Sequence, residues 1–380
     1  MQSPSGFPSV GMVGAGQLAR MTHAAAIPLG VGFRVLAADP SDGAVLVCGD
    51  VTVGQHTSLA DLRGFAAGCD VVTFDHEHVP GEHLRALEAD GHLVRPGSAA
   101  LLHAQDKQVM RDRLAPLGIP CPAYANADPG AADKQVRAFA EEHGWPVIAK
   151  TPRGGYDGKG VWVLDGPDDL ADLPEVPLLL EERVEFRREL AALVARSPHG
   201  QAVAYPVVET VQRDGICVEV LAPAPGLAED HALLAQQLAL RIAGELGVVG
   251  VLAVELFDTA DGVVVNELAM RPHNSGHWTI DGARTSQFEQ HLRAVLDLPL
   301  GSPAPVAPYT AMANLLGGAD PHVYDRYVHV LAKDPAVKVH LYGKEVRPGR
   351  KIGHVTAVGD DLDDVRARAK DACDYLRGDG

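Results

Sequence analysis

The stretch GVLAVELFDTADGVVVNELAMRPHNSGHWTIDG, residues 250–282, contains the pattern that decides the fold. Two runs rich in β-branched and other apolar residues flank an Asp-Gly pair, which is typical of a β-hairpin. We predict a three-residue turn over residues 260–262, with glycine at the position of positive φ that such a loop favours. The hairpin indicates an antiparallel sheet in this part of the chain.

The predicted hairpin brings two carboxylates together. A turn of that length pairs Thr259 with Val263, and therefore Glu255 with Glu267. Cross-strand partners have Cβ atoms about 5 Å apart, and two carboxylates at that distance repel unless a cation lies between them. Because Mg²⁺ takes one or two carboxylates plus phosphate oxygens, we predict a magnesium site here. The alternative is a pair of exposed sheet carboxylates, since a slip of one residue turns one strand over.

Polar side chains crowd the segment that follows the hairpin. Arg271, His273, Asn274, Ser275 and His277 lie within seven residues. Arginine, histidine, asparagine and serine supply the hydrogen-bond donors that bind anions. A metal ligand followed at once by an anion-binding loop predicts a site that brings a metal-bound phosphate to a small anionic substrate.

A glycine-rich loop, RGGYDGKG at residues 153–160, lies between two predicted strands. Four glycines in eight residues let the backbone approach a polyphosphate closely. The spacing is not that of the P-loop, so we predict a different nucleotide-binding device. Lys150 and Lys159 are placed to neutralise phosphate charge. The alternative is a glycine-rich hairpin with solvated lysines.

The N-terminal strand SVGMVG enters a Gly14-Ala15-Gly16 turn that opens a helix. Backbone N–H groups at such a helix start suit a phosphate. A dinucleotide fingerprint would have a third glycine at Ala19 and an acid after the second strand, where Asp39 lies. Three interpretations stay open: a structural turn, a phosphate site and a nicotinamide cofactor site.

The segment TFDHEHV carries Asp75, His76, Glu77 and His78, a composition compatible with zinc. Strand alternation, however, places the two histidines on the opposite face from the two carboxylates. This favours a polar strand end that contacts substrate, with plain surface as the remaining alternative.

Basic residues cluster near the C-terminus, where HLYGKEVRPGRKIGHV holds Lys344, Arg347, Arg350 and Lys351 around a Pro-Gly turn. In a chain of formal net charge −17, this local cluster suits a phosphate monoester. The alternative is a solvated run of charges.

Composition limits the partners. The 380 residues predict two or three domains. The negative net charge argues against binding to nucleic acid or to an acidic membrane surface. The first residues lack the pattern of a signal peptide, and no run approaches the roughly 18 apolar residues of a membrane span. The five scattered cysteines have no CxxC spacing, which predicts free thiols in the cytoplasm.

Strand and helix patterns divide the chain into three parts. In roughly the first 100 residues, short apolar runs alternate with helical stretches, which predicts a parallel sheet. From Asp106 a helix leads to a small unit around the glycine-rich loop. From about Phe186 the pattern is mainly antiparallel, with helices predicted over residues 236–246, 286–298 and 362–376.

Six blocks of the chain, in order, resemble those of the N5-carboxyaminoimidazole ribonucleotide synthetases, an ATP-grasp family of de novo purine synthesis. The blocks are GMVGAGQLARM, TFDHEHVP, KTPRGGYDGKG, YPVVETVQRDGI, VNELAMRPHNSGHWTIDGARTSQFEQHLRAVLDLPLG and LYGKEVRPGRKIGHV. The resemblance covers nearly the whole chain. Residues 266–301 are specific to this family, because ATP-grasp relatives keep only the Asn-Glu part of that block.

The resemblance implies a mixed α/β and α+β architecture of the ATP-grasp type. It implies an N-terminal Rossmann-like parallel-sheet domain over residues 1–104 and a small glycine-flap lid domain over 105–185. A large, mainly antiparallel catalytic and C-terminal domain would follow over 186–380. The two antiparallel domains would grip ATP between them, and the family resemblance suggests a homodimer.

The reaction that the resemblance implies is a carbon–nitrogen ligation. ATP phosphorylates bicarbonate to carboxyphosphate, and the exocyclic amine of 5-aminoimidazole ribonucleotide captures the carboxyl group, directly or through CO₂. The products are N5-carboxyaminoimidazole ribonucleotide, ADP and phosphate. Mg²⁺ is the implied cofactor, and ATP is a co-substrate.

The resemblance also assigns residue roles by position. Catalytic roles fall on Arg271, His273, Asn274 and Lys344. ATP binding falls on Lys107, Lys150, Gly155, Tyr156, Asp157, Gly158, Lys159, Gly160, Glu181, Glu182, Arg183, Val184, Glu189, Gln212, Asn266 and Glu267, and metal binding on Glu255 and Glu267. Substrate binding falls on Gln17, Glu77, Tyr156, Asp157, Arg271, His273, Asn274, Ser275, Lys344 and Arg350.

Three other functions are compatible with parts of the sequence. Another ATP-grasp ligase, such as the formate-using glycinamide ribonucleotide transformylase, is the nearest, although RPHNSGHWTIDG argues against it. An NAD-dependent dehydrogenase built on GAGQLA would leave the glycine-rich loop and the carboxylate pair unexplained. The third is a nucleotide-binding regulatory protein with an inactive site.

Overall fold

The computed structural model describes residues 6–155 and 159–378, apart from the side chain of Asp172. The strands are β1 (Ser9–Val13), β2 (Gly32–Ala37), β3 (Val51–Val53), β4 (Val71–Phe74), β5 (Tyr124–Ala127), β6 (Val147–Lys150), β7 (Val161–Leu164), β8 (Leu178–Glu182), β9 (Arg188–Arg196), β10 (Ala202–Ala204), β11 (Val208–Arg213), β12 (Ile216–Ala222), β13 (Gly250–Thr259), β14 (Gly262–Ala269), β15 (Tyr309–Leu316), β16 (Lys338–Leu341) and β17 (Lys351–Gly359). The α-helices are α1 (Gln17–Leu29), α2 (Leu59–Ala66), α3 (Gly81–Ala89), α4 (Ser98–Gln105), α5 (Lys107–Leu114), α6 (Ala132–His143), α7 (Glu229–Glu245), α8 (Thr279–Gly282), α9 (Gln287–Val295), α10 (Tyr327–Lys333) and α11 (Leu362–Arg377). No helix within these described ranges is long and apolar enough to cross a membrane.

The first sheet has strand order β3-β2-β1-β4, and its strand pairs are all parallel. This confirms the parallel sheet that alternating strands and helices predict. Its two faces belong to two cores, one containing Leu62 of α2 and the other Leu292 of α9. The Gly14–Gly16 turn and Asp75 follow β1 and β4 directly, so both lie at the carboxyl edge of the sheet, where ligands of such sheets bind.

The second sheet is small and antiparallel, with strand order β5-β8-β6-β7. β6 and β7 flank the glycine-rich loop as predicted, and Lys150 pairs with Val161 where the loop begins. The backbone N–H of Thr151 donates to the carbonyl of Gly160 at 2.9 Å, which closes the base of the loop.

The third sheet is large and antiparallel, with strand order β14-β13-β9-β11-β12-β15-β17-β16, and β10 pairs with β9. Buried His291 of α9 joins it to the first sheet. The backbone N–H of Val251 donates to His291 Nδ1 at 3.1 Å, and His291 Nε2 lies 2.7 Å from the Thr73 hydroxyl. Since Nδ1 accepts, Nε2 carries the proton and donates to Thr73.

The predicted helices of the third part are present. The helix predicted over 286–298 is α9, and the one predicted over 362–376 is α11, whose Val365, Ala369 and Leu376 are buried against the large sheet. The helix predicted over 236–246 begins earlier, at Glu229, because Glu229 and Asp230 favour the positive end of the helix dipole.

The turn of the β13–β14 hairpin differs from the prediction, which was wrong by one residue. Thr259 pairs with Gly262 rather than Val263, so the loop has two residues. The Thr259 hydroxyl accepts from the N–H of Asp261 at 3.2 Å and donates to the Gly262 carbonyl at 2.9 Å, which stabilises the shorter turn.

The pairing of Glu255 with Glu267 is nevertheless confirmed. The register shifts between Glu255 and Leu256, whose partners are Glu267 and Val265. Asn266 is therefore the extra residue of a β-bulge, and the bulge restores the register that the shorter turn removed.

Candidate active site

A cavity of about 650 Å³, the first cavity, lies between the small sheet and the large sheet. Most residues predicted to bind nucleotide or metal line it, from strands and loops of both sheets. They are Lys107, Lys150, Gly155, Lys159, Gly160, Glu181, Glu182, Arg183, Val184, Glu189, Gln212, Glu255, Asn266 and Glu267. The predicted Tyr156, Asp157 and Gly158 lie outside the described residues.

One wall of the first cavity is apolar, which the sequence analysis did not anticipate. Ile148, Val163, Phe186 and Leu268 line it, and the ring of Phe186 stacks on Phe257 with centroids 4.7 Å apart. A flat apolar wall beside polar backbone suits a nucleobase. The sequence gives no sign of this wall, because apolar side chains are normally core residues.

The charges of the first cavity are paired. Lys107 Nζ lies 2.8 Å from Glu267 Oε1, and Lys150 Nζ lies 2.6 Å from Glu181 Oε2. His273 Nε2 lies 3.2 Å from Glu255 Oε1. Burial raises the pKa of Glu255, but the hydrogen bond and charge of His273 outweigh burial and hold that pKa below its ordinary value.

The carboxylates fit a magnesium ion that also contacts phosphate. Among residues 6–155 and 159–378, no group of three or more His, Cys, Asp or Glu side chains is arranged to hold a metal. The chain thus supplies Glu255 and Glu267 on paired strands, two oxygen donors of the type that Mg²⁺ prefers. Neighbouring Glu189 has a pKa raised to about 7 by burial and by the charge of Glu255. This excess of negative charge favours a cation.

A second cavity of about 480 Å³ lies between the start of α1 and the segment before β17. Gln17, Lys344 and Arg350 line it, as does Lys351, which belonged to the predicted basic cluster but received no role. Lys344 Nζ donates to Gln17 Oε1 at 2.7 Å. These cations and amide suit a phosphate group.

Arg271, His273, Asn274 and Lys351, here called the junction, line both cavities. Arg271 Nε lies 2.7 Å from Glu77 Oε2. Burial disfavours the charge of Arg271, but the Glu77 carboxylate outweighs it and raises the pKa of Arg271. Arg271 therefore carries a fixed positive charge where the two cavities meet.

Unpartnered polar atoms also face the junction. Both side-chain amide atoms of Asn274, and Oε1 of Glu77, are buried without an oxygen or nitrogen partner in the part of the chain that the structure describes. Such atoms carry a desolvation penalty that a ligand can relieve. Ser275 lines neither cavity; its hydroxyl lies 2.8 Å from His273 Nδ1 and holds the imidazole ring.

Asp75 occupies the helix start that a dinucleotide phosphate would use. Its carboxylate accepts from the N–H of Gly16 at 2.6 Å, and a Cβ on Gly14 would lie 1.7 Å from Asp75 Oδ1. Burial raises the pKa of Asp75 to about 6. The Gly14–Gly16 turn is therefore built around a carboxylate, which argues against the nicotinamide interpretation.

The structure does not support the zinc interpretation of TFDHEHV, because no group of three or more His, Cys, Asp or Glu side chains in the described part of the chain is arranged to hold a metal. β4 ends at Phe74, so the predicted alternation over the following residues was wrong. His76 and His78 instead stack with ring centroids 5.2 Å apart, and His76 Nδ1 accepts from the N–H of His78. Burial and the neighbouring His56 lower the pKa of His76 to about 3, so His76 is neutral.

Family models match three consecutive parts of the chain. A ribonucleotide synthetase preATP-grasp domain matches residues 7–105, an ATP-grasp domain residues 112–288, and a phosphoribosylaminoimidazole carboxylase C-terminal domain residues 310–368. N5-carboxyaminoimidazole ribonucleotide synthase of Mycobacterium tuberculosis is 57% identical, over 97% of this chain and 88% of its own. The chain belongs to the N5-carboxyaminoimidazole ribonucleotide synthase family.

Solved structures of this family have the same fold. The N5-carboxyaminoimidazole ribonucleotide synthetase of Thermus thermophilus is 38% identical with a TM-score of 0.87, and 97% of this chain covers 98% of that chain. The Aspergillus clavatus synthase in complex with ADP and 5-aminoimidazole ribonucleotide is 31% identical with a TM-score of 0.89, and the coverage is again 97% and 98%. The predicted family and ATP-grasp fold are confirmed.

Family membership also fixes the reaction. This chain is an ATP-grasp enzyme whose activity is the ATP-dependent formation of N5-carboxyaminoimidazole ribonucleotide from 5-aminoimidazole ribonucleotide and bicarbonate, in purine biosynthesis. The predicted activity is confirmed, and the formate-using and NAD-dependent alternatives are set aside.

Proposed function

We propose that the first cavity holds ATP, the second cavity holds the imidazole ribonucleotide, and the junction holds the group derived from bicarbonate. The observation that carries this assignment is that Arg271, His273, Asn274 and Lys351 line both cavities. A carboxyl group formed beside the nucleotide then lies within reach of the second substrate without leaving the enzyme. Chemistry of this kind depends mainly on positioning and charge neutralisation.

On the nucleotide side, the assigned roles follow from the lining of the first cavity. The adenine lies against the apolar wall and the backbone of residues 181–184, and Glu189 and Gln212 are near the ribose. Lys107, Lys150 and the glycine-rich loop contact the phosphates. Both lysines are already held by carboxylates, so phosphate binding exchanges one anionic partner for another rather than gathering free cations.

Glu255 and Glu267 would hold Mg²⁺ together with phosphate oxygens. When bound, the ion neutralises charge on the phosphates and orients them. Lys107 and His273 donate to the two carboxylates in its place, and Asn266 lies beside them in the cavity lining.

In the first chemical step, a bicarbonate oxygen attacks the γ-phosphorus of ATP. The bond between that phosphorus and the bridging oxygen breaks, and ADP leaves with the electron pair. The product is carboxyphosphate. Arg271 and His273 bind the anionic oxygens through charge-assisted hydrogen bonds, which are the strong ones, and the amide of Asn274 supplies a donor that lacks an oxygen or nitrogen partner among the described residues.

In the second step, the exocyclic amine of the ribonucleotide attacks the carboxyl carbon, directly or after CO₂ is released. The bond between the carboxyl carbon and the oxygen that bridges to phosphorus breaks, and inorganic phosphate leaves with that oxygen. The amine loses a proton. Exclusion of water from the site would keep carboxyphosphate from being hydrolysed.

On the ribonucleotide side, Gln17, Lys344 and Arg350 hold the phosphate monoester. Glu77 lines the first cavity rather than the second, beside Arg271 of the junction. There it accepts a hydrogen bond from the substrate through Oε1, the oxygen that is buried and unpartnered among the described residues. The tight pairing of Lys344 with Gln17 keeps the ammonium at the cavity wall before the phosphate arrives.

We also propose that the protein is a cytoplasmic homodimer. Within each chain, the domain boundaries fall near residues 104 and 185. All five cysteines are free thiols, in keeping with a reducing compartment. Sedimentation equilibrium tests the dimer, and a molar mass of a single 40.1 kDa chain at micromolar concentration would contradict it.

The decisive assay measures ADP release with each pair of substrates. Bicarbonate with 5-aminoimidazole ribonucleotide should give ADP and an acid-labile carboxylated product, whereas formate with glycinamide ribonucleotide should give none. Release of ADP only with the formate pair would overturn the proposed function. The Glu267→Gln variant, assayed beside it, separates an active ligase from a nucleotide-binding protein without turnover.

A further inference from the structure

Arg111 is a buried charge that the proposed mechanism does not use. It lies on α5, one turn after Lys107, and is only 1% exposed. A charge is expensive to bury unless it is paired and hydrogen-bonded. Its partners therefore indicate what the structure gains from it.

The guanidinium group donates to oxygens of three residues. Nε donates to Glu181 Oε1 at 2.7 Å, Nη1 to the carbonyl of Val265 at 3.0 Å, and Nη2 to the carbonyl of Asn266 at 2.7 Å. In a regular strand, successive carbonyls point in opposite directions. One guanidinium can reach both only because the bulge turns them to the same side.

The bulge changes which side chains face the first cavity. Before it, Val263 and Val265 belong to the main core, and after it Met270 does, as does Leu268, which also borders the first cavity. The alternation thus changes from odd to even numbers across Asn266. As a result, Asn266 and Glu267, although adjacent in sequence, both line the cavity, whereas a regular strand would turn one of them into the core.

Arg111 also acts on Lys150, through Glu181. The Glu181 carboxylate, 2% exposed, accepts from Arg111 with one oxygen and lies 2.6 Å from Lys150 Nζ with the other. Lys150 Nζ in turn donates to Asn266 Oδ1 at 3.3 Å. The guanidinium and the ammonium therefore hold the backbone and the side chain of the same bulged residue.

We propose that Arg111 is a positioning residue for the metal and phosphate groups of ATP. It fixes the bulge at Asn266, so that Asn266 and Glu267 both face the nucleotide, and it fixes Glu181, which aims Lys150. Its long, planar fork suits two converging carbonyls and a carboxylate at once, which a lysine ammonium does not match. The inference rests on the proposed role of Glu267 in binding Mg²⁺ and ATP.

The test compares Arg111→Met and Arg111→Lys with Arg113→Met. Arg113 lies on the same helix, but it is exposed and pairs with Glu245, so it is the matched control. We expect Arg111→Met to raise the KM for ATP and the Mg²⁺ concentration for half-maximal rate by about 10- to 100-fold, as loss of an outer-shell partner does. Arg111→Lys should recover part of this loss. The KM for the ribonucleotide should stay within about twofold of the native value, because no hydrogen-bond partner of Arg111 lines the second cavity.

A purely structural role would lower the melting temperature without separating the two KM values. If Arg111→Met does not fold, Arg111→Lys, which keeps the charge, should still raise the KM for ATP more than the KM for the ribonucleotide, by a smaller factor. Unchanged KM for ATP and unchanged Mg²⁺ dependence in folded Arg111→Lys and Arg111→Met would overturn the inference.

Glu267→Gln, measured in parallel, distinguishes this inference from the proposed function. If Glu267→Gln abolishes turnover while both Arg111 variants behave like Arg113→Met, only the role of Arg111 is wrong. If Glu267→Gln leaves turnover and Mg²⁺ dependence intact, the proposed metal site itself is wrong. The fold loss of the double variant Arg111→Lys, Glu267→Gln should be smaller than the product of the two separate losses, because both changes act in part on the same carboxylate.

Discussion

The two cavities share one wall but differ in how their charges are arranged. In the first, each carboxylate is paired with a side chain that donates to it: Glu267 with Lys107, Glu181 with Lys150, and Glu255 with His273. In the second, Lys344 donates to the neutral amide of Gln17, and Arg350 donates to a backbone carbonyl. Asp75 is the one carboxylate among the described residues that line it.

This difference matches the two kinds of anion. A nucleotide triphosphate arrives with a divalent cation, so its site needs carboxylates as well as lysines. A phosphate monoester arrives without one, so its site needs cations and few carboxylates in its lining. The junction combines features of both cavities. Arg271 is paired with the Glu77 carboxylate, whereas the side-chain amide of Asn274 has no oxygen or nitrogen partner in the described part of the chain.

The largest effect should come from removing a carboxylate of the first cavity. Glu267→Gln keeps the shape but removes the charge that would hold Mg²⁺, so kcat should fall by about 100- to 1,000-fold, as on loss of one group that stabilises transition-state charge. Steady-state ADP release measures it. Glu245→Gln, an exposed control, should be unaffected; equal activity of the two variants would break the contrast between the cavities.

Asp75, the carboxylate that lines the second cavity, should affect the stability of the folded protein rather than the rate of the reaction. The pKa of Asp75 is raised from 3.8 to about 6 by burial, so the folded state holds a proton that the unfolded state releases. Stability from this group is therefore present below pH 4 and is lost as pH rises to about 6. Asp75→Asn, which keeps an oxygen to cap Gly16, has no such loss.

Urea unfolding of the two proteins from pH 4 to pH 7 tests this sign. As pH rises, the free energy of unfolding of Asp75→Asn should increase relative to that of the native protein, by up to about 3 kcal/mol. This is the free energy that corresponds to moving a pKa from 3.8 to about 6. A difference that stays constant over this range would show that Asp75 does not titrate as described.

A cation of the second cavity should affect one substrate alone. Lys344→Met removes a charged hydrogen bond worth about 1.5–3 kcal/mol, so the KM for the ribonucleotide should rise about 10- to 100-fold. The KM for ATP should stay near its native value. Lys333→Met, which removes an exposed ammonium paired with Asp371, is the control. A parallel rise in both KM values would mean that the two cavities are not separate sites.

The smallest effect is expected at Arg347, although the sequence places it in the basic cluster. Arg347 pairs with Glu345, its side chain is 66% exposed, and it lines neither cavity. Arg347→Ala should change either KM by less than about twofold, as is usual for a surface substitution. A large rise in the KM for the ribonucleotide would move the phosphate site toward Arg347.

The sequence was enough to predict the three sheets, the carboxylate pair and most of the cavity lining. Alternating patterns identify strands and helices, and the blocks that resemble the family carry the site residues. The hairpin turn was predicted one residue too long, because a threonine hydroxyl that stabilises the shorter loop has no signature in spacing.

Other features depend on contacts between distant segments. The bulge at Asn266 is held by Arg111, 155 residues earlier in the chain, and neither residue alone indicates it. Lys351 becomes a junction residue only because β17 brings it beside Arg271 and His273. Asp75 resembles a ligand in sequence, and only its contact with Gly16 identifies it as a helix cap.

The most direct test that the carboxyl group passes through carboxyphosphate is the fate of a bicarbonate oxygen. If bicarbonate attacks the γ-phosphorus of ATP and the carboxyl group then leaves by cleavage of the carbon–oxygen bond, one bicarbonate oxygen stays with phosphorus. A single-turnover reaction with ¹⁸O-labelled bicarbonate, ATP and 5-aminoimidazole ribonucleotide should yield inorganic phosphate that carries one ¹⁸O atom, whether or not CO₂ is released on the way. Phosphate without the label would contradict the account, because the carboxyl group would then reach the amine without passing through carboxyphosphate.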